Sequence, residues 1–270
     1  MRVAFQGEKG AYSEEAIINH WTDRAEPVPR PYLMGVFDAV EEGSADLGLV
    51  PVENSIEGSI VRTFDLLNER SLVAQGETVL RVMHCLISNP GVKMGNVKRV
   101  YSHPQALGQA RQYLEKHGYE PVAHYDTAGS VKYIRDNKLM DAAAIASLRA
   151  AQVYNMDVLQ QGIETHKENY TRFLVIGRDR SEPTGRDKTS VAFVVKHEPG
   201  TLVKALGALA RRSINLTKIE SRPIVGSPWE YIFFIDFEGH INDNNIRTAL
   251  DELSLQTSYF KHLGSYPQAK

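Results

Sequence analysis

A single cysteine, Cys85, stands among 270 residues. A disulfide within the chain is therefore excluded, and so is a thiolate metal cluster. Between His84 and Leu86, Cys85 reads as a small buried hydrophobe. Charge of one sign is lacking as well. With 31 Lys and Arg against 33 Asp and Glu, the net charge of −2 gives no electrostatic case for nucleic acid or an anionic membrane as partner. No apolar run approaches the roughly 20 residues that span a bilayer. No signal peptide is visible, since residues 2–6 read as a strand that enters a glycine loop. A cytoplasmic location is the resulting expectation. The nine histidines show neither HxxxH nor HExxH spacing, so no metal is expected. A Gly-x-Ser-x-Gly elbow is missing, and Gly7-x-x-Gly10 is not a dinucleotide fingerprint.

What remains is an ordinary globular composition, 42% hydrophobic and 24% charged, with enough apolar mass for a core and enough length for one large domain or two ordinary ones. Strands and helices alternate through residues 1–177, which predicts an α/β fold with largely parallel strands. Strands are expected at 3–5, 47–50, 99–101, 122–124, 141–145 and 172–176. A long β-rich stretch covers 71–88, broken near Gly76. Helices are expected at 13–21, 36–42, 60–68, 105–117, 128–137 and 148–153. The segment 178–188 is polar, holds Pro183 and Gly185, and has no periodicity. It reads as a linker. Beyond it strands at 190–195, 214–220, 231–237 and 256–260 and helices at 201–212 and 244–253 give the βαββαβ order of a ferredoxin-like sandwich. So small a unit leaves a sheet face or edge open, and pairing with a second copy is expected.

Four junctions repeat one arrangement, in which a strand gives way to a short loop of hydroxyl and amide side chains before a helix starts. They are Gln6–Ser13, Pro51–Ser59, Ser102–Gln105 and Asp126–Gly129. Ligands of open α/β sheets bind outside the carboxyl ends of strands, and helix N-termini there suit anions. Four such loops on one cleft suit a small substrate with more than one carboxylate. Ser13, Ser102 and Thr127 equally suit plain N-caps. His103, alone before a proline, reads as structural or as a general base. A threonine followed by an arginine at a strand start, Thr171-Arg172, offers a hydroxyl donor and a carboxylate clamp.

Taken together, these residues resemble the prephenate dehydratase family over nearly the whole chain. The pieces stand in family order: the glycine loop with Tyr12-Ser13, Ala45-Asp46-Leu47-Gly48 leading into Pro51-Val52-Glu53-Asn54-Ser55, Ser102-His103-Pro104-Gln105, Asp126-Thr127-Ala128, residues 142–147, and Thr171-Arg172-Phe173. The C-terminal part resembles the family's ACT regulatory domain. Gly200-Thr201-Leu202-Val203 departs from the Gly-Ala-Leu-Val motif only at Thr201, and Glu220-Ser221-Arg222-Pro223 matches its motif unchanged.

The resemblance implies a two-lobed catalytic domain at 1–178 like type II periplasmic binding proteins. Residues 1–80 with 160–177 would form one lobe and 81–159 the other. A linker at 179–188 and an ACT domain at 189–266 would follow. It implies decarboxylating dehydration of prephenate to phenylpyruvate with no cofactor, and no chorismate mutase activity, since the chain starts on the dehydratase strand. Arogenate is the alternative substrate, and a non-catalytic amino-acid sensor the alternative function. Thr171 would be the essential threonine, with Glu53 and Asn54 as further catalytic candidates. Ser13, Ser55, Ser102, Gln105, Thr127 and Arg172 would position substrate. Strand alternation should turn Arg172 away from Thr171. L-phenylalanine would bind at Gly200, Thr201, Leu202, Val203, Asn215, Leu216, Glu220, Ser221, Arg222 and Pro223, between two copies of a homodimer or homotetramer.

Overall fold

Three sheets take up the strand-forming segments of the computed structural model, which describes residues 1–224 and 226–269. In chain order the elements are β1 (Arg2–Gln6), α1 (Tyr12–Trp21), β2 (Glu26–Arg30), α2 (Leu33–Glu41), β3 (Leu47–Asn54), β4 (Gly58–Ser59), α3 (Val61–Glu69) and β5 (Val73–Arg81). There follow β6 (Cys85–Ser88), β7 (Arg99–Ser102), α4 (Pro104–Gln109), α5 (Arg111–His117), β8 (Glu120–Ala123), α6 (Thr127–Asp136), β9 (Ala142–Ala146), α7 (Leu148–Tyr154), β10 (Asp157–Gln161) and β11 (Tyr170–Gly177). The chain ends with β12 (Asp187–Val194), α8 (Thr201–Ala210), β13 (Leu216–Ile224), β14 (Ser227–Glu238), α9 (Asn244–Ser254) and β15 (Tyr259–Pro267).

The first sheet has the order β2-β1-β3-β11-β5, with β4 beside β3, and the second the order β10-β6-β9-β7-β8. β1 runs parallel to β2 and β3, and β7 parallel to β8 and β9, whereas β6 and β10 pair antiparallel. Val3, Ala4 and Phe5 of β1 and all of β9 are buried, the continuous apolar runs of strands covered on both faces. The chain leaves the first sheet after Arg81 and returns to it at Tyr170. This is the expected α/β layout, followed by a ferredoxin-like βαββαβ sandwich with sheet order β13-β14-β12-β15.

Several elements differ from expectation for physical reasons. β5 runs through Gly76, which lies against Val175, and the interruption falls instead at 82–84, where the chain changes sheet. The helix expected over 105–117 divides at Ala110, whose backbone (φ −99°, ψ 9°) is not helical. β2 went unforeseen because Pro27 and Pro29 are poor ladder donors, a fault that an edge strand tolerates. The last strand lies at Tyr259–Pro267, not 256–260, because a turn follows α9. Asp187 and Lys188, assigned to the linker, already belong to β12.

By packing, the chain forms two compact units, residues 1–58 with 79–173, and residues 59–78 with 174–270. In the second unit the sheet order β13-β14-β12-β15 is antiparallel throughout. One face, with Val191, Phe193, Ile235 and Phe237, packs under α8 and α9. A face or an edge was expected to be open, and on the other face lies α3. The Phe64 and Phe234 rings meet at 5.6 Å, and Arg222 Nη2 donates to Asp65 Oδ2 at 2.7 Å. Lys261 Nζ donates to the carbonyls of Leu67, Asn68 and Arg70, the C-terminal groups that a helix leaves unsatisfied. The edge strands of this sheet are β13 and β15.

Candidate active site

The site lies within the first unit. The end of β3 and the start of β11 zip together residue by residue. Glu53 Oε2 lies 3.3 Å from Arg172 Nε, Asn54 Nδ2 donates to Thr171 Oγ1 at 3.0 Å, and Ser55 N donates to the Tyr170 carbonyl at 2.8 Å. As one strand's numbers rise the other's fall, so the two run antiparallel. Alternation then separates the Asn54–Thr171 pair from the Glu53–Arg172 pair onto opposite faces. Arg172 makes its ion pair with Glu53 on that other face.

The orientation of the Asn54 amide is fixed from its other end. Its Oδ1 accepts from the backbone N–H groups of Ile56 at 2.9 Å and Glu57 at 3.0 Å, the geometry of an Asx turn. Nδ2 is left facing Asn169 Oδ1 at 2.8 Å and the Tyr170 carbonyl at 3.2 Å as well as Thr171. The Thr171 oxygen thus accepts from an amide, and among the described residues its own O–H has no acceptor. That is the state required of a hydroxyl that donates to a bound molecule. Ser55, by contrast, is committed to the backbone. Its Oγ donates to the Glu168 carbonyl and accepts from Tyr170 N, both at 2.9 Å, so it shapes the loop.

Of the other expected residues, none is joined to this cluster by a direct hydrogen bond among the described residues. Ser102 is fully buried and donates to the Ile145 carbonyl at 2.7 Å. Gln105 is exposed. Gln109, one turn further along α4, reaches the cluster instead: its Oε1 accepts from Asn169 Nδ2 at 2.9 Å and its Nε2 donates to Glu57 Oε1 at 3.2 Å. The N-cap reading of Ser13, Ser102 and Thr127 misses the caps by one or two positions. Ala11 precedes α1 without a side-chain cap, His103 Nδ1 accepts from Gln105 N, and Asp126 Oδ1 accepts from Gly129 N at 2.6 Å. The latter two residues carry a ring nitrogen or carboxylate on extended backbone immediately before their helices, the proper position for a cap.

Just before α1, whose first-turn N–H groups were expected to suit a substrate anion, the chain places an anion of its own. Buried Glu14 accepts from Gly10 N at 2.6 Å, while its other oxygen lies 3.2 Å from Arg149 Nη2 of α7. Ser147 Oγ donates to the Gly10 carbonyl at 2.6 Å, so this loop docks on the start of α7. Burial raises the pKa of the Asp126 carboxyl, an effect opposed by its bond from Gly129 and reinforced by the nearby Glu8. Tyr125, which donates to Glu8 Oε1 at 3.2 Å, is pushed up to about 12, chiefly by burial.

Sequence reasoning missed Asn169, Gln109 and the buried His84. Asn169 was within sight, two residues before Thr171. Gln109 and His84 carry no local signal, since only the fold brings helix α4 and the 82–84 crossover to the start of β11.

In the second unit, Gly200, Thr201, Leu202 and Val203 line a cavity of about 370 Å3 together with Tyr231 and Phe233. Gly200 caps α8 from the left-handed region (φ 84°). Ser221 lies opposite Phe233 in the β13–β14 register, and Glu220 Oε2 is 3.8 Å from Lys218 Nζ. Arg222 and Pro223 line a different cavity, of about 570 Å3, against α3. Leu216 packs into the core beneath the helices, and Asn215 gives its carbonyl to Glu238 N.

Comparison with known proteins gives these features a context. The family model described as prephenate dehydratase matches residues 3–181, and that of the ACT domain matches residues 189–254. Arogenate dehydratase 2 of Petunia hybrida is 44% identical over 99% of this chain and 72% of its own length. A solved structure of prephenate dehydratase in complex with L-Phe from Arthrobacter aurescens is 30% identical, with a TM-score of 0.91 over 99% of this chain and 90% of that one. Another, described as GqqA, a novel type of quorum quenching acylase, is 34% identical, with a TM-score of 0.92 over 99% and 98%.

Proposed function

The chain belongs to the prephenate dehydratase family, as a dehydratase with an ACT domain, and on that premise we propose that it converts prephenate to phenylpyruvate under control of L-phenylalanine. The ring carboxylate leaves as CO2, its electron pair enters the ring, and the C4–O bond breaks. The departing hydroxide takes up one proton to become water. Thr171 is the donor to that oxygen. The carrying observation is the hydroxyl's polarity: Asn54 Nδ2 donates to the Thr171 oxygen, so the Thr171 O–H is left to donate. An aliphatic hydroxyl is too weak an acid to ionise beforehand, so the proton moves as the bond breaks, and Thr171 regains one from solvent water before the next turnover. Glu53, paired with Arg172, holds the strand ends and serves the reaction only indirectly.

Arogenate is the second substrate reading, favoured by the Petunia relative. Incubating the purified chain with each compound and following phenylpyruvate or phenylalanine tests both. The acylase-like neighbour would call for a nucleophile with an adjacent base. Thr171 has an amide donor at its oxygen, which supports dehydration over acyl transfer.

For regulation, the support is the cavity lined by Gly200–Val203 and the relative solved with L-Phe. In one chain the two effector motifs line different cavities, which supports a site completed by a second copy and hence a homodimer or homotetramer. The domain boundaries 1–178, 179–188 and 189–266 belong to this proposal, as does a cytoplasmic location. No described helix is long and apolar enough to cross a membrane. Calorimetry with L-phenylalanine, and light scattering with and without it, test the effector and the assembly.

A further inference from the structure

We propose that the buried Tyr12–His84 pair is a positioning device for the reaction, setting the direction of a row of amides that ends at Thr171. The proposal rests on reading Thr171 as the leaving-group donor. His84 is 2% exposed. Its Nδ1 lies 2.6 Å from Tyr12 Oη, and its Nε2 lies 2.8 Å from Gln109 Oε1. From there the contacts run on without a gap. Asn169 Nδ2 donates to Gln109 Oε1 at 2.9 Å, Asn54 Nδ2 to Asn169 Oδ1 at 2.8 Å, and Asn54 Nδ2 to Thr171 Oγ1 at 3.0 Å.

An amide is nearly symmetric in shape, so only its hydrogen-bond partners decide which end faces where. Gln109 Oε1 must be the acceptor, because its Nε2 faces Glu57 Oε1 and Asn169 Nδ2 donates to Oε1. The ring proton of neutral His84 therefore sits on Nε2, and the Nδ1 lone pair accepts from the Tyr12 hydroxyl. Burial favours that neutral ring, lowering its pKa, and raises that of Tyr12, which keeps its proton. The other acceptor near the Tyr12 hydroxyl, the Met83 carbonyl at 3.3 Å, lies farther off than Nδ1 at 2.6 Å and leaves this order in place. The His84 backbone N–H donates to Glu164 Oε2 at 2.9 Å, and the Tyr12 and His84 rings meet edge to face at 5.6 Å.

Remove the Nε2–H and Gln109 loses one of the two donors that hold its oxygen inward. If its amide turns over, an NH2 group meets the Asn169 NH2 group, and Asn169 must give way. Asn54 keeps its Asx turn but loses the acceptor that aligns Nδ2. Thr171 is then still present but less well aimed. One weakened link of this kind is worth about 1 kcal/mol in a network, or roughly a fivefold to tenfold change in rate.

The test compares steady-state prephenate turnover in the full chain and its variants. His84→Leu is expected to lower kcat roughly fivefold to tenfold with KM changed less than about twofold. His84→Gln, which can still donate to Gln109, should recover most of the loss. Tyr12→Phe should lower kcat in the same direction and carries the test if the leucine variant does not fold. A double-mutant cycle with Thr171→Val separates the two claims. If His84 acts through Thr171, His84→Leu adds little in the valine background. An equal loss in both backgrounds, an unchanged kcat in folded His84→Leu, or a glutamine variant no better than leucine overturns the positioning role and leaves the Thr171 reading standing. An unchanged kcat in Tyr12→Phe when His84→Leu is unfolded overturns it as well. Near-normal turnover by Thr171→Val overturns the reading beneath it.

Discussion

Replacing Thr171 with valine removes one hydroxyl and leaves the β-branched shape that suits a strand. The structure says how little else should change. Asn54 Nδ2 loses one acceptor but keeps Asn169 Oδ1 at 2.8 Å and the Tyr170 carbonyl at 3.2 Å, so no donor is stranded. Thr171 is half-buried, and the stability change should stay within about 1 kcal/mol, a few degrees in Tm. The rate should suffer far more. A preorganised donor aimed at developing charge is worth roughly 10²–10³ in kcat, about 2.7–4 kcal/mol of the barrier. The same loss is expected for Thr171→Ala. A hydroxyl that acts mainly in the transition state adds little to substrate binding, so KM should move less than about threefold. Thr171→Ser restores the hydroxyl and should cost less than about tenfold. Stopped reactions quantified for phenylpyruvate, beside thermal melts of each variant, give all these numbers. A valine variant that melts normally and turns over within tenfold of the parent would refute the reasoning.

Other outcomes follow from individual contacts. Gly10→Ala forces a side chain onto backbone at φ +88° and puts Cβ 2.7 Å from Ala150 Cα, so urea unfolding should show a loss greater than about 1 kcal/mol. His262 is held neutral by burial, with Arg180 and His240 adding repulsion, and its pKa falls to about 4. A histidine depressed from about 6.5 leaves stability intact above that pH and erodes it as pH falls toward 4. Denaturation at pH 5 should show a loss of about 2 kcal/mol relative to pH 7 that His262→Gln reduces. Arg222→Ala breaks the 2.7 Å pair with Asp65 beside the effector motif, and calorimetry should show L-phenylalanine affinity reduced roughly tenfold or more. A variant binding as tightly as the parent would remove Arg222 from the effector site.

The alternation of strand and helix was legible because buried parallel strands must be short apolar runs: β9, Ala-Ala-Ala-Ile-Ala, cannot be mistaken for surface. Strand alternation alone was enough to doubt Arg172 as a partner of the Thr171 site, and the ion pair with Glu53 gives that guanidinium its own partner. Other features lie beyond local pattern. Nothing in the sequence near α3 says that it covers a sheet formed some 130 residues later, through Phe64 and Phe234. The caps at His103 and Asp126 fell one position from the hydroxyls chosen, because type alone does not tell which residue stays extended. Glu14 could not be read as the acceptor of the Gly10 N–H, since Arg149, its other partner, comes from α7, 135 residues along the chain. The row from Tyr12 through His84, Gln109 and Asn169 to Asn54 draws on five separate segments, and only the fold assembles it.

The central claim is that the Thr171 hydroxyl, held by Asn54, donates to a departing hydroxide. The most direct measurement mixes the purified chain with prephenate and follows phenylpyruvate, with the Thr171→Val chain in parallel. The account predicts steady formation of phenylpyruvate by the parent and a loss of roughly 10²–10³ in the variant. No turnover of prephenate or arogenate by a folded parent chain, or equal turnover by parent and variant, would contradict it.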